Sequence, residues 1–139
     1  MRDLKVLLVE DNEADIILTS EILSSAGINQ PIAIARDGAE AIQFLNKEGQ
    51  FSKDQTPDLV LLDINLPKIN GKEVLNYIKK NEAFKSVYVI MYTSSDLEKD
   101  ILYCYDTGAD LYLKKSHSMD SYDKIVQTIR DFTIKHCLN

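Results

Sequence analysis

Two kinds of hydrophobic pattern succeed one another along this chain: short unbroken apolar runs, and longer stretches with apolar residues three or four positions apart. Leu4–Val9 is a run that predicts a buried strand. Over Glu13–Ala26 the residues Ala14, Ile17, Leu18, Ile22 and Ala26 recur at helical spacing, and Gly27 marks a helix stop. Pro31–Ala35 predicts a second strand. Asp37-Gly38 opens a helix that runs through Ala41, Ile42 and Leu45 and ends near Gly49, after which polar Gln50–Pro57 predicts a loop. Leu59–Leu62 predicts the third strand, closed by Asp63. Asn65–Gly71, with Pro67 and Asn70-Gly71, predicts a turn. Val74, Leu75, Ile78 and Lys79 continue as a helix, Val87–Tyr92 is a fourth strand, and Asp96–Thr107 is a fourth helix closed by Gly108. Leu111–Leu113 is a short fifth strand. Ser118–His136 is the last helix, with Ile125, Ile129 and Phe132 on one face.

Strand followed by helix, five times over, implies an α/β fold: a mostly parallel sheet with helices on both faces. Right-handed crossovers leave few topologies, and the expected one is the flavodoxin-like, doubly wound (βα)5 arrangement with strand order 2-1-3-4-5. Residues 1–139 leave no room for a second domain. The last helix runs almost to Asn139, so a single domain without an output module is expected.

Composition narrows the function without naming it. With 45% apolar and 27% charged residues the chain has the balance of a soluble globular protein. No apolar run approaches the roughly 20 residues of a membrane span, and the start lacks the apolar stretch of a signal peptide. A net charge of −6 argues against a nucleic-acid surface. Cys104 and Cys137 have no metal-ligand spacing to His117 or His136, so neither a disulfide nor a zinc site is expected. Both histidines read as surface residues, and the cytoplasm is the default location.

In a doubly wound sheet, ligands bind at the carboxyl ends of the strands, where the strand order reverses. Strand 1 ends in Glu10-Asp11, strand 3 in Asp63, strand 4 in Thr93-Ser94 and strand 5 in Lys114-Lys115. Three carboxylates, a hydroxyl and an ammonium thus share one rim. Clustered carboxylates repel one another unless a cation is present, and hard oxygen ligands with open positions suit Mg²⁺. A carboxylate can attack phosphorus to form an aspartyl phosphate, and Lys115 and Thr93 offer donors to the phosphoryl oxygens.

These segments resemble the receiver domain of two-component response regulators. Val6-Leu7-Leu8-Val9-Glu10-Asp11-Asn12 is similar to the family's first strand and acidic pair, and Asp63-Ile64-Asn65-Leu66-Pro67-Lys68-Ile69-Asn70-Gly71 to its phosphoacceptor strand and loop. Tyr92-Thr93-Ser94 and Gly108-Ala109-Asp110-Leu111-Tyr112-Leu113-Lys114-Lys115 resemble its switch-hydroxyl and lysine segments. The resemblance implies that Asp63 is the phosphoacceptor. It implies that Asp11 binds Mg²⁺ directly, Glu10 through water and Asn65 by its backbone carbonyl. Lys115 would pair with the phosphoryl group, Thr93 would swing toward it, and Tyr112 would turn inward into the space vacated. The fourth helix, fifth strand and fifth helix would be the output surface. The implied partners are a sensor histidine kinase or phosphotransfer protein and a downstream protein target, with homodimerisation through the output surface as a further option. No direct contact with nucleic acid or membrane is implied.

The sequence departs from the family pattern in three places. Ser116 stands where the family usually has a cis proline after the lysine. Asp11 and Asp63 are 52 residues apart, a long interval whose surplus falls in Asn46–Pro57. Val87 stands where a proline usually precedes the fourth strand. The insert and the Lys-Ser pair resemble stand-alone receivers that serve phytochrome-like sensor kinases. Phe51 is left two roles, pinning the insert or meeting a partner. In the fourth helix Tyr105 is expected to pack inward and Leu102 and Tyr103 to be open to solvent.

Three other readings compete. A phosphohydrolase working through an aspartyl phosphate needs an acid two residues after its nucleophile, where Asn65 stands. A flavin phosphate would be repelled by Glu10-Asp11. A constitutive binding module has no use for Asp63, Asp11, Thr93 and Lys115 together. The expected protein is therefore a phosphoacceptor signalling domain, not an enzyme beyond its own phosphorylation and slow autodephosphorylation.

Overall fold

The computed structural model describes residues 3–116 and 118–137, Cys137 by its backbone only. Five strands form one parallel sheet: β1 (Val6–Val9), β2 (Ala33–Ala35), β3 (Leu59–Leu62), β4 (Tyr88–Thr93) and β5 (Leu111–Lys114). Their spatial order is β2-β1-β3-β4-β5, as the alternating pattern predicts. Five helices connect and flank them: α1 (Glu13–Ser25), α2 (Gly38–Leu45), α3 (Gly71–Lys80), α4 (Glu98–Thr107) and α5 (Met119–Cys137). Two short 3-10 turns, Gly49–Phe51 and Glu82–Phe84, were not legible in the sequence.

Successive side chains in a strand point to opposite faces, so each central strand feeds two cores. Val6 and Leu8 join Leu59, Leu61, Ile90 and Leu113 against α1 and α5. Leu7 and Val9 join Val60, Leu62, Val89 and Met91 against α2, α3 and α4. Burial on both faces explains why these strands read as continuous apolar runs. The expected faces of α3 (Val74, Leu75, Ile78) and α5 (Ile125, Ile129, Phe132) are buried.

Several expectations need correction. The buried side of α1 is Ile16, Thr19, Ile22 and Leu23, whereas Ile17 is 55% exposed and Ala14 is exposed. Three consecutive apolar residues, Ile16-Ile17-Leu18, gave the helical period no phase. Tyr105 does not pack inward: it is 45% exposed, and its hydroxyl accepts a bond from the Tyr112 backbone N–H (3.0 Å). Leu102 and Tyr103 are open as expected. The strands β4 and β5 each run one residue further than predicted, to Thr93 and Lys114, because those residues still pair with each other. His136 is half-buried and stacks on Phe132 at 3.9 Å, with Nδ1 2.9 Å from that residue's carbonyl oxygen. His117 and the side chain of Cys137 lie outside the described residues; Cys104 is a free, buried thiol. The Lys115–Ser116 peptide is trans. Phe51 takes the first of its two roles, meeting Phe44 edge-on at 5.4 Å and pinning the insert to α2.

Below the carboxyl edge of the sheet, α4 is tied to α3 by one ionic contact. The buried Asp100 carboxylate pairs with Lys72 and accepts a hydrogen bond from the Ser95 hydroxyl (2.6 Å). These two bonds, Lys72 first, hold the Asp100 carboxyl below its ordinary range. A depressed carboxyl pKa contributes stability above the unfolded value, and that contribution is lost as pH falls through the folded value. Asp100→Asn should therefore destabilise the protein by about 1–3 kcal/mol at pH 7. In urea unfolding the gap to wild type should narrow as the pH is taken below 4, roughly the ordinary carboxylate range. A gap that is the same at both pH values would assign the loss to packing.

Candidate metal and phosphoryl site

The backbone ladder continues one residue beyond three of the strands and so fixes the residues that follow them. Glu10 N–H donates to the Ala35 carbonyl (2.9 Å), Asp63 N–H to Val9 (3.1 Å) and Lys115 N–H to Thr93 (2.7 Å). Next to Asp11, Asn12 caps α1, its side-chain oxygen accepting from the Asp15 N–H (3.0 Å). This local chemistry sets Glu10 and Asp11 between a strand end and a helix start.

The loop after β3 is held from two sides by glycines at the starts of helices. Gly71 N–H donates to the Ile64 carbonyl (2.8 Å). A side chain at Gly71 would put its Cβ 1.9 Å from the Asp63 carbonyl oxygen, and one at Gly38 would lie 1.8 Å from that of Ile69. The loop is thus pressed against the N-termini of α2 and α3, which is the physical reason for glycine at positions that read in the sequence as turn markers.

Glu10, Asp11 and Asp63 each place a carboxylate oxygen within 4.8 Å of the others, a group that could hold a metal ion. Glu10 and Asp63 are buried and Asp11 is exposed. Burial, then the Asp63 charge beside it, push the Glu10 carboxyl above its ordinary pKa; Lys115 offsets part of this. Asp63 Oδ1 is buried with no hydrogen-bond partner among the described residues. An unpartnered buried carboxylate oxygen is costly unless something outside the chain satisfies it. The donor set, hard carboxylate oxygens at a partly open rim, fits a divalent cation such as Mg²⁺ or Mn²⁺.

Lys115 reaches into this cluster from the end of β5. Its side chain is 13% exposed, and its ammonium contacts Glu10, Asp15 Oδ2 (3.1 Å) and Asp63 Oδ2 (3.3 Å). Burial alone would lower its pKa, but the Glu10 bond and the Asp63 and Glu10 charges outweigh it and hold the lysine above its ordinary value. Asp15 is the member that sequence reasoning missed. It lies in the first turn of a helix, where acidic residues are common for reasons of the helix dipole alone, so no signal set it apart.

The remaining expected residues sit nearby. Thr93 is fully buried at the end of β4, and its Oγ1 accepts weakly from the Ser95 N–H (3.4 Å). Tyr112, half-buried in β5, already points toward the β4–α4 loop, its hydroxyl donating to the Ser95 carbonyl (2.8 Å). Ser95 therefore touches Thr93, Tyr112 and Asp100 alike, a meeting point that the sequence did not reveal. Asn65 is exposed in the loop two residues beyond Asp63. Among the described residues no helix is long and apolar enough to cross a membrane.

Comparison with known proteins places these features in context. The family profile described as response regulator receiver domain matches residues 6–128. The response regulator Rcp1 of Synechocystis is 39% identical over 130 residues, covering 94% of this chain and 88% of that protein. The crystal structure of the phosphorylated cyanobacterial phytochrome response regulator RcpA is 36% identical with a TM-score of 0.83, covering 96% of this chain and 93% of that one. The Mn²⁺-bound form of Rcp1 is 35% identical with a TM-score of 0.79, covering 94% and 92%.

Proposed function

Since the chain belongs to the response regulator receiver domain family, we propose that it takes a phosphoryl group from a sensor histidine kinase or phosphotransfer protein onto Asp63. The observation that carries this reading is the buried, unpartnered Oδ1 of Asp63 inside a cluster of carboxylates. Asp11 and Asp63 would hold Mg²⁺ directly, Asn65 by its backbone carbonyl and Glu10 through water. When bound, the ion supplies the charge neutralisation that lets an anionic carboxylate approach an anionic phosphoryl group.

An Asp63 oxygen forms the new P–O bond while the P–N bond to the donor's histidine breaks. Lys115, already 3.3 Å from Asp63 Oδ2, transfers its hydrogen bond to a phosphoryl oxygen. Thr93 supplies a hydroxyl donor and in doing so gives up the Ser95 N–H. Tyr112, hydrogen-bonded to the same Ser95, follows. The change is read on α4, β5 and α5, where Leu102, Tyr103 and Tyr105 are open to a protein target or a second copy. We further place the protein in the cytoplasm, with this receiver domain acting as a phosphoacceptor and not as an enzyme. The similarity to Rcp1 and to RcpA, a phytochrome response regulator, supports a phytochrome-like kinase as the phosphodonor.

Wild-type protein incubated with acetyl phosphate should gain one phosphoryl mass with Mg²⁺ and none in EDTA, read by intact-mass spectrometry. Absence of both this adduct and Mg²⁺-dependent beryllofluoride binding would overturn the reading in favour of a constitutive binding module.

A further inference from the structure

A lysine ammonium has three N–H donors. In this structure Lys115 has three carboxylate partners, Glu10, Asp15 and Asp63. Two of the three, Glu10 and Asp63, also belong to the cluster that could hold a metal ion; Asp15 does not. A cation in that cluster competes with Lys115 for Glu10 and Asp63 and leaves Asp15 as the lysine's undisputed partner. Asp15 is itself well placed to hold still. Its backbone N–H is tied to the Asn12 cap, and the next residue, buried Ile16, anchors the same turn in the core. Its side chain is one-third exposed, at the open side of the lysine.

We propose that Asp15 is a positioning residue for phosphoryl transfer: it anchors Lys115 at the rim when a divalent cation engages Glu10 and Asp63, so that the lysine's remaining donor stays aimed at the phosphoryl group on Asp63. The inference rests on the phosphoacceptor reading above and adds a residue outside the acidic cluster to it. A donor fixed beforehand by a partner on a rigid element needs no reorganisation as charge develops, whereas a lysine left to its flexible stem must be ordered at the moment of reaction.

The test follows the lysine itself. In protein labelled with ¹⁵N-lysine, the Lys115 ammonium should give a slowly exchanging ¹H–¹⁵N signal, because its three protons are bonded and shielded. In wild type that signal should persist through a Mg²⁺ titration. In Asp15→Asn it should be present without Mg²⁺, where Glu10 still holds the lysine, and be lost as Mg²⁺ is added. Asp15→Glu, which restores the charge, should recover it. With Mg²⁺ present, beryllofluoride should bind Asp15→Asn about three- to tenfold more weakly than wild type, the worth of one exposed-to-half-buried ionic hydrogen bond. A ¹H–¹⁵N backbone spectrum of Asp15→Asn that matches wild type away from α1 shows that the fold is kept; a globally altered spectrum would instead make Asp15 a structural residue and overturn the proposal. So would an ammonium signal that survives Mg²⁺ in Asp15→Asn. A wild type whose site signals ignore Mg²⁺ altogether would refute the metal reading, and a Lys115 that responds as expected while no phosphoryl adduct forms would refute only the phosphoacceptor reading.

Discussion

Asp63→Asn should accept no phosphoryl group from acetyl phosphate in Mg²⁺, and should at the same time be more resistant to urea than wild type. The first effect is the larger. Of the carboxylates near Lys115, Asp63 has the buried oxygen left without a partner, and an amide in its place is no nucleophile. The second effect follows from the same geometry. Asp63 and Glu10 are buried together, and the Asp63 charge helps to raise the Glu10 pKa. Removing one of two like charges relieves that repulsion, while Lys115 keeps Glu10 and Asp15 as partners. A gain of about 1 kcal/mol is expected. Intact mass reads the first effect and a urea midpoint the second. An adduct that persists in Asp63→Asn would move the acceptor to another residue; a variant less stable than wild type would mean that the Lys115–Asp63 contact outweighs the repulsion.

Gly71→Ala should lower stability by about 3 kcal/mol or more and slow phosphorylation with it. The added methyl would meet the Asp63 carbonyl oxygen at 1.9 Å, and the Asp63 carbonyl carbon and Ile64 Cα at 2.8 Å. All three are backbone atoms, so no side chain can turn aside; overpacking typically costs about 1–3 kcal/mol and occasionally more, and a contact this short on main chain belongs at the upper end. The peptide that must yield carries Asp63 itself. Relief by shifting the loop therefore displaces the proposed acceptor, Asp63, and relief by shifting α3 breaks the Gly71–Ile64 hydrogen bond. Chemical denaturation and the rate of adduct formation, measured on the same sample, check both consequences. A variant of wild-type stability would show that the helix start and the loop can part without loss.

Much of this was legible because the informative features are local. Strands buried on both faces are written as runs such as Leu59–Leu62, and the residue ending each run, Asp63 or Thr93, falls on the sheet's carboxyl edge by topology alone. Topology also brought Glu10, Asp11, Asp63 and Lys115 within reach of one another. What the sequence hid depends on direction and on long-range pairing. The phase of α1 could not be read from Ile16-Ile17-Leu18, since three adjacent apolar residues satisfy several faces. Tyr105 looks like a core aromatic until the Tyr112 N–H is seen to need its hydroxyl. Asp15 and Lys115 are 100 positions apart, and Lys72 meets Asp100 across two helices. No periodicity encodes such pairs.

The starts of the helices are unequal in a way that bears on how the molecule opens. Asn12, Asp37 and Asn70 each accept the N–H three residues on and so secure the first turns of α1, α2 and α3. Leu97 precedes α4 and offers no such oxygen. The first turn of α4 is kept by what Asp100 holds, Lys72 and Ser95, and Ser95 is also the residue bound by Thr93 and Tyr112. Unravelling this turn exposes little apolar surface, for Leu97 is already 54% exposed. Amide protons there should exchange with water through a local opening far shallower than global unfolding, as native-state hydrogen exchange would show. Under the proposed phosphoryl transfer, the hydrogen bond that Thr93 would give up therefore ends on the same residue, Ser95, that secures the uncapped start of α4, so the change would reach that helix at an end where little apolar packing has to be broken.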